Sequence, residues 1–201
     1  MRTPQPSNLI EGKSITGPNQ VWQTDITYVW SDRRWYYISF VIDVHTRQIL
    51  VGHCSRNLST VSQVHCLAKD RAGQKGKELT RLIIHTDRGV LYTSSEYKAY
   101  LSRRGFTPSM AHYAWQNAYY ERVNRTIKTN YLVHYNTNGY RSLCVGLARA
   151  VRVYNRSKPH RGLPSRLSPD QFANKRNQGS YLDDRVNIWS KLKSSNMVYD
   201  N

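Results

Sequence analysis

Val21-Trp22-Gln23-Thr24-Asp25-Ile26-Thr27-Tyr28-Val29-Trp30 reads as a β-strand with an acid in its middle. Its Trp, Thr, Ile, Tyr and Val residues suit a pleated, half-buried surface. Ser31-Asp32-Arg33-Arg34 is a turn. Trp35 to Val44 is a second, nearly continuous apolar strand, and Gln48 to Cys54 a third. With such short connections the three predict an antiparallel meander. Downstream the period changes to helical. Thr60 to about Ala72 carries Val61, Val64, Leu67 and Ala68 at helix spacing. Arg81 to Thr86 is a short buried strand that runs into Asp87-Arg88-Gly89. A helix capped by Ser94 or Ser95 runs through Arg104, and Phe106 to Met110 is a candidate fifth strand. Ala118 to about His134 and Ser142 to about Tyr154 read as helices, with shorter helical pieces at 170–176 and 183–192. A meander followed by alternating units predicts a mixed α/β fold.

The chain has 201 residues and a net charge of +17. A surface that basic expects a polyanionic partner, because neutralised phosphates release condensed counterions. The charge is concentrated in the second half. Between Glu96 and Asp170 the sequence holds thirteen Lys and Arg and one acid, Glu121. The longest apolar stretch, Trp35 to Val44, is far short of the roughly 20 residues of a membrane span, so no membrane partner is expected. The N-terminus lacks the apolar core of a signal peptide. Cys54, Cys66 and Cys144 are odd in number and widely spaced, which fits a reducing cytoplasm rather than a disulfide framework or zinc site.

Three carboxylates stand out. Strand interiors disfavour Asp, and a buried carboxylate is costly unless paired or metal-bound. Asp25 is therefore either a structural ion pair or a functional group. Asp87 follows Leu82-Ile83-Ile84, at the strand end where open α/β sheets keep their ligands; a turn or cap role is the alternative. Glu121 lies on a helix whose Tyr120, Val123, Ile127 and Tyr131 form the core stripe. It shares another face with Asn124, Arg125 and Lys128. There it is either the surface partner of Arg125 or a metal ligand beside phosphate-binding cations. On the next helix Leu143, Leu147, Val151 and Tyr154 face the core, while Arg149, Arg152 and Arg156 share an outer face suited to phosphates.

In this order the motifs resemble the catalytic core of DDE transposases and retroviral-type integrases, above all the bacterial insertion-sequence transposases. The resemblance rests on Asn19-Gln20-Val21-Trp22-Gln23-Thr24-Asp25-Ile26-Thr27-Tyr28, His85-Thr86-Asp87-Arg88-Gly89, Ser109-Met110-Ala111 and Asn117-Ala118-Tyr119-Tyr120-Glu121-Arg122. Lys128, Tyr154-Asn155 and Lys158-Pro159-His160-Arg161-Gly162-Leu163 complete it. It runs from about Pro18 to Phe172. Gln116-Asn117, Leu91 and Lys158 depart from the family's more common residues, and the Asp87-to-Glu121 interval is shorter than in many relatives.

The resemblance implies an RNase H-like fold with a mixed five-stranded sheet flanked by helices. It implies two Mg²⁺ or Mn²⁺ ions on Asp25, Asp87 and Glu121, acting as catalytic and metal-binding residues. The activity implied is metal-dependent cleavage and joining of DNA strands at transposon ends. Double-stranded DNA, of the transposon ends and the target, is the implied partner. A homo-oligomer on that DNA and a bacterial cytoplasm, on the nucleoid, are implied with it. Arg125, Lys128, Arg149, Arg152 and Arg156 are the expected DNA contacts. Lys128 matches a family position that contacts the element's terminal DNA. Asn117, Asn124 and His85 are expected to support the acids. The expected organisation is an arm or linker over 1–17, a core over 18–172 and a tail with short helical pieces over 173–201. Relatives usually carry a helical DNA-binding region before the core, so the chain reads as a truncated element. A non-catalytic DNA-binding remnant and an RNase H-like nuclease are the competing readings.

Overall fold

The computed structural model describes residues 6–73, 79, 81–179 and 186–187. In chain order the strands are β1 (Ser14–Ile15), β2 (Val21–Ser31), β3 (Arg34–Asp43), β4 (Ile49–Ser55), β5 (Ile83–Thr86), β6 (Thr107–Met110) and β7 (Val186–Asn187). The helices are α1 (Thr60–Gly73), α2 (Val90–Thr93), α3 (Ser95–Arg103), α4 (Ala118–Asn130), α5 (Tyr140–Ser157) and α6 (Pro169–Asn177). Five strands form one sheet in the order β4-β3-β2-β5-β6. The meander pairs antiparallel, whereas β5 joins β2, and β6 joins β5, in parallel. This is the expected mixed five-stranded sheet.

The β2–β3 connection has two residues, Asp32 and Arg33, both at positive φ (48° and 57°). That backbone twist matches the right-handed twist of the strands it joins. The near-continuous apolar run of β3 follows from burial on both faces. Tyr36, Ile38, Phe40 and Ile42 pack against Tyr120, Val123 and Ile127 of α4 and against Leu143, Leu147 and Tyr154 of α5. Val41 and Trp22 pack on the other side with Cys66 and Leu67 of α1 and Tyr97 and Leu101 of α3. Gly52 lets α5 approach closely: a Cβ there would lie 3.0 Å from Val151 Cγ2. Asn155 fastens the outer edge of the sheet. Its Nδ2 donates to Ile49 O at 2.8 Å, and its Oδ1 accepts from Ile49 N at 2.9 Å.

Several elements differ in extent from the sequence expectation. The helix from Ala118 stops at Asn130, since Tyr131 leaves helical geometry (φ −129°, ψ −63°), and a 3₁₀ turn over Leu132–His134 follows. α5 begins earlier than Ser142, at Tyr140, after Gly139 at φ 82°. The short α2 after Gly89 was not expected. Residues 6–17 lie against the sheet rather than projecting as an arm. Ile10 and Ile15 are buried with Val21, Val44 and Ile83, and β1 pairs with β7. Two isoleucines in a polar segment give no periodic signal, which hides such a contact from the sequence. Of the expected helical piece at 183–192, only Val186 and Asn187 lie within the described residues, and they are strand. The three cysteines are free thiols. Among the described residues no helix is long and apolar enough to cross a membrane.

Candidate active site

The parallel pair β2–β5 brings two acids to the same end of the sheet. Asp25 lies two residues beyond the last pairing of β2 with β5, Gln23 opposite His85. Asp87 directly follows β5. Glu121 stands in the first turn of α4. All three line one cleft of about 260 Å³, together with Arg88, Ala111, His112, Tyr113 and Asn117.

Buried polar side chains hold this corner. Gln23 Oε1 accepts from Tyr120 N at 3.2 Å, satisfying one of the free donors at the start of α4. Gln23 Nε2 donates to Gln116 O at 3.3 Å. Tyr120 Oη donates to the Asp25 carbonyl at 2.7 Å. Thus the helix that carries Glu121 is tied to the strand that carries Asp25. Gln116 braces the loop between them: its Oε1 accepts from His112 N at 2.6 Å and Tyr113 N at 3.0 Å. Its Nε2 donates to Glu11 Oε2 at 3.0 Å, so the N-terminal segment shares in shaping the cleft.

Asp25 accepts from Ile26 N at 2.7 Å and from Asn117 Nδ2 at 3.4 Å. Burial nevertheless pushes its carboxyl up to about 7. The negative charges of Asp87 and Glu121 add to that rise, against the pull of the Ile26 and Asn117 donors. Asp87 Oδ1 accepts from Gly89 N at 2.8 Å. A Cβ on Gly89 would lie 2.9 Å from that same oxygen, so the glycine after Asp87-Arg88 is a matter of space for the carboxylate. Arg88 Nη2 meets His112 Nδ1 at 2.9 Å, which fixes one cation at the cleft wall.

The other expected residues spread more widely. His85 is buried behind the cleft with its Nδ1 2.9 Å from Ser109 Oγ. Burial, aided by His112, pushes the ring down to about 4 against the Gln116 backbone, so it is neutral near pH 7. Asn117 Oδ1 and Asn124 Oδ1 are buried without a hydrogen-bond partner. Lys128 Nζ donates to Tyr28 O at 3.2 Å and to Thr27 Oγ1 at 3.3 Å. Arg125 is exposed on α4, and among the described residues no ion pair joins it to Glu121. Arg149, Arg152 and Arg156 are exposed on α5, which packs over β4, at the opposite edge of the sheet from β5 and β6. None of the three lines the cleft. Gln23, Arg88, His112 and Gln116 escaped the sequence reading. The alternation of β2 put Gln23 on the face of Asp25, and that was the one available signal.

The donor set suits a hard divalent cation. It offers carboxylate oxygens and a buried, unpartnered amide oxygen on Asn117, the residue that touches Asp25. Among the described residues no three acidic, His or Cys side chains are already drawn together as a finished cage.

Known proteins share this architecture. Two family models, both described as integrase core domain, match residues 15–113 and 106–169. The transposase InsF for insertion sequence IS3A of Escherichia coli K12 is 32% identical, over 86% of this chain and 60% of that protein. An uncharacterised 31 kDa protein of insertion element IS600 from Shigella sonnei is 28% identical, over 86% and 64%. The chain thus spans about 60% of the length of the IS3-type transposases it matches. Among solved structures, the HTLV-2 integrase catalytic core domain in complex with magnesium aligns with a TM-score of 0.61 at 21% identity, covering 77% of this chain and 96% of that one. A chain of the simian T-cell lymphotropic virus intasome in complex with PP2A regulatory subunit B56 gamma aligns with a TM-score of 0.66 at 19% identity, covering 85% and 60%. The fold is RNase H-like, and the chain belongs to the integrase core domain family, with the insertion-sequence transposases as relatives.

Proposed function

We propose that this chain is the catalytic core of a transposase that cleaves DNA at the ends of an element and joins those ends to another duplex. One observation carries the reading: in an integrase core, Asp25, Asp87 and Glu121 line a single cleft, where burial, joined by the charges of Asp87 and Glu121, raises the carboxyl of Asp25. Mg²⁺ or Mn²⁺, two ions in all, held by these three would supply positive charge for the attacking and leaving oxygens of a phosphodiester. The residues of the chain do the rest. Asn117 orients Asp25, and Gly89 leaves room for Asp87. Gln23 and Tyr120 set the position of Glu121 against the strand. In each step a water or DNA 3′-hydroxyl oxygen bonds to phosphorus as the opposite P–O bond breaks, and the departing oxygen takes a proton. A homo-oligomer assembled on DNA, in the bacterial cytoplasm, fits this reading.

The test is a labelled duplex bearing the element's terminal sequence, incubated with Mg²⁺ or Mn²⁺. Metal-dependent nicks and joined products support the core. Nicks without joining favour an RNase H-like nuclease, and binding without either favours a DNA-binding remnant. The contribution of Lys128 is separable from the chemistry. It rests on the exposed edge of β2, free to exchange Tyr28 O for a phosphate. Lys128→Ala is expected to weaken duplex binding and to flatten its logarithmic salt slope by roughly one unit. A salt titration that leaves the slope unchanged removes Lys128 from the DNA contacts.

A further inference from the structure

The outer half of the β2–β3 hairpin carries three large rings in the open. Tyr28, Trp30 and Trp35 are 59%, 57% and 47% exposed. They form one cluster. Trp30 and Trp35 are direct cross-strand partners, with ring centroids 4.9 Å apart. Tyr28 meets Trp35 edge to face at 5.1 Å. Farther along the same sheet face, Trp22 and Val41 are buried under α1 and α3. The rings therefore lie where the helical cover has ended, and packing gives no reason for three of them. The hairpin tip is fastened. Ser31 Oγ donates to Thr137 O, and Gly139 N donates to Ser31 Oγ at 2.9 Å.

Charge and position point to an occupant. Among the described residues β2 pairs with β5 only from Val21 to Gln23, so its edge from Asp25 to the tip is open. Asp25 and Tyr28 face opposite sides of the sheet, and the open edge connects those sides. Lys128 lies across it, its Nζ 5.8 Å from the Tyr28 ring centroid and bonded to Tyr28 O. Arg33 is exposed at the tip. At about 3.3 Å per residue, Tyr28 lies roughly 10 Å along the strand from Asp25, and Trp30 roughly 17 Å. A second copy of a chain with net charge +17 would bring like charge to this patch. A nucleic-acid strand brings the opposite charge and flat faces.

We propose that Tyr28, Trp30 and Trp35 form a stacking platform for unpaired bases of a DNA strand that passes from the cleft around the open edge of β2, with Lys128 and Arg33 on its phosphates. The proposal rests on the DNA-processing reading above and adds a single-strand site to it. Stacking on aromatic rings is sequence-tolerant, because every base has a π-face. Bases already stacked inside a duplex cannot use the rings, so the platform distinguishes single strands from duplex.

The full chain is titrated with a labelled single-stranded oligonucleotide and with its blunt duplex. The Trp30→Ala/Trp35→Ala double variant is expected to lose about tenfold or more in single-strand affinity, with a much smaller change on duplex. The corresponding double Phe variant, which keeps the rings, is expected to recover most of the loss. In the wild-type protein the single strand quenches tryptophan emission more than the duplex does, a readout that does not depend on folding of the alanine variant. Equal losses on both probes, no loss on either, or absence of selective quenching overturns the platform. A changed sedimentation coefficient with unchanged DNA binding makes the patch a protein contact and overturns it too. A wild-type protein that binds neither probe refutes the DNA reading itself, a separate failure.

Discussion

Raising the pH of the metal-free protein from about 5 to 8 lowers its melting temperature, and Mg²⁺ or Mn²⁺ restores it. The sign follows from Asp25. Its carboxyl titrates at about 7 in the fold, against 3.8 as the ordinary value. Between those values the folded state keeps a proton that the unfolded state has released, so stability falls as pH rises through the window. The loss is complete above about pH 7. A shift of roughly three units corresponds to at most about 4 kcal/mol. For a chain of this size that is on the order of 10 °C. A cation that binds only the fold offsets the repulsion, and at a hundred times its dissociation constant contributes about 2.7 kcal/mol. Asp25→Asn removes the charge and should flatten the pH dependence between 5 and 7. Scanning calorimetry of both proteins checks it. An identical pH slope in Asp25→Asn places the titration elsewhere.

Glu121→Gln and Asp87→Asn should each reduce metal-dependent cleavage by about a thousandfold or more, the scale expected when charge stabilisation at a reacting centre is lost. Neither substitution changes side-chain volume much, and neither residue holds the core, so the fold should survive. Duplex affinity should stay level or rise, since a negative charge facing phosphate has gone. Denaturing gels that resolve nicked and joined strands, run beside binding titrations, separate the two effects. Retained cleavage in Glu121→Gln would leave Glu121 as a surface acid.

The sheet was legible because its signals are local. The meander announced itself through β-rich runs separated by the turn at Ser31-Asp32-Arg33-Arg34 and a short loop. The buried parallel strand showed as Leu82-Ile83-Ile84 ahead of Asp87. The core stripes of α4 and α5 were readable from spacing, and Tyr120, Val123, Ile127, Leu143, Leu147 and Tyr154 are all buried. The acids that line the cleft were visible as carboxylates in expensive or isolated places.

What was hidden depends on pairings far apart in sequence. Gln23 braces Gln116 and Tyr120 across more than ninety positions, and no local pattern marks an amide for that task. Glu11 reaches Gln116 from a segment that reads as a linker. Asn155, within a motif that carried the family resemblance, secures β4 rather than facing the cleft. The arginines of α5 show the converse. Helical spacing correctly placed Arg149, Arg152 and Arg156 on an outer face, but spacing within one helix says nothing of where that face lies relative to Asp25.

We propose Asp25, Asp87 and Glu121 as three ligands of one metal site. The most direct measurement is a crystal of the protein soaked in Mn²⁺, with the ions located by their anomalous scattering. Manganese is expected in the cleft within coordinating distance of all three carboxylates, with two ions about 3.5–4 Å apart when DNA is present. Manganese bound elsewhere, or held by Asp25 and Asp87 without Glu121 in the DNA complex, would contradict it.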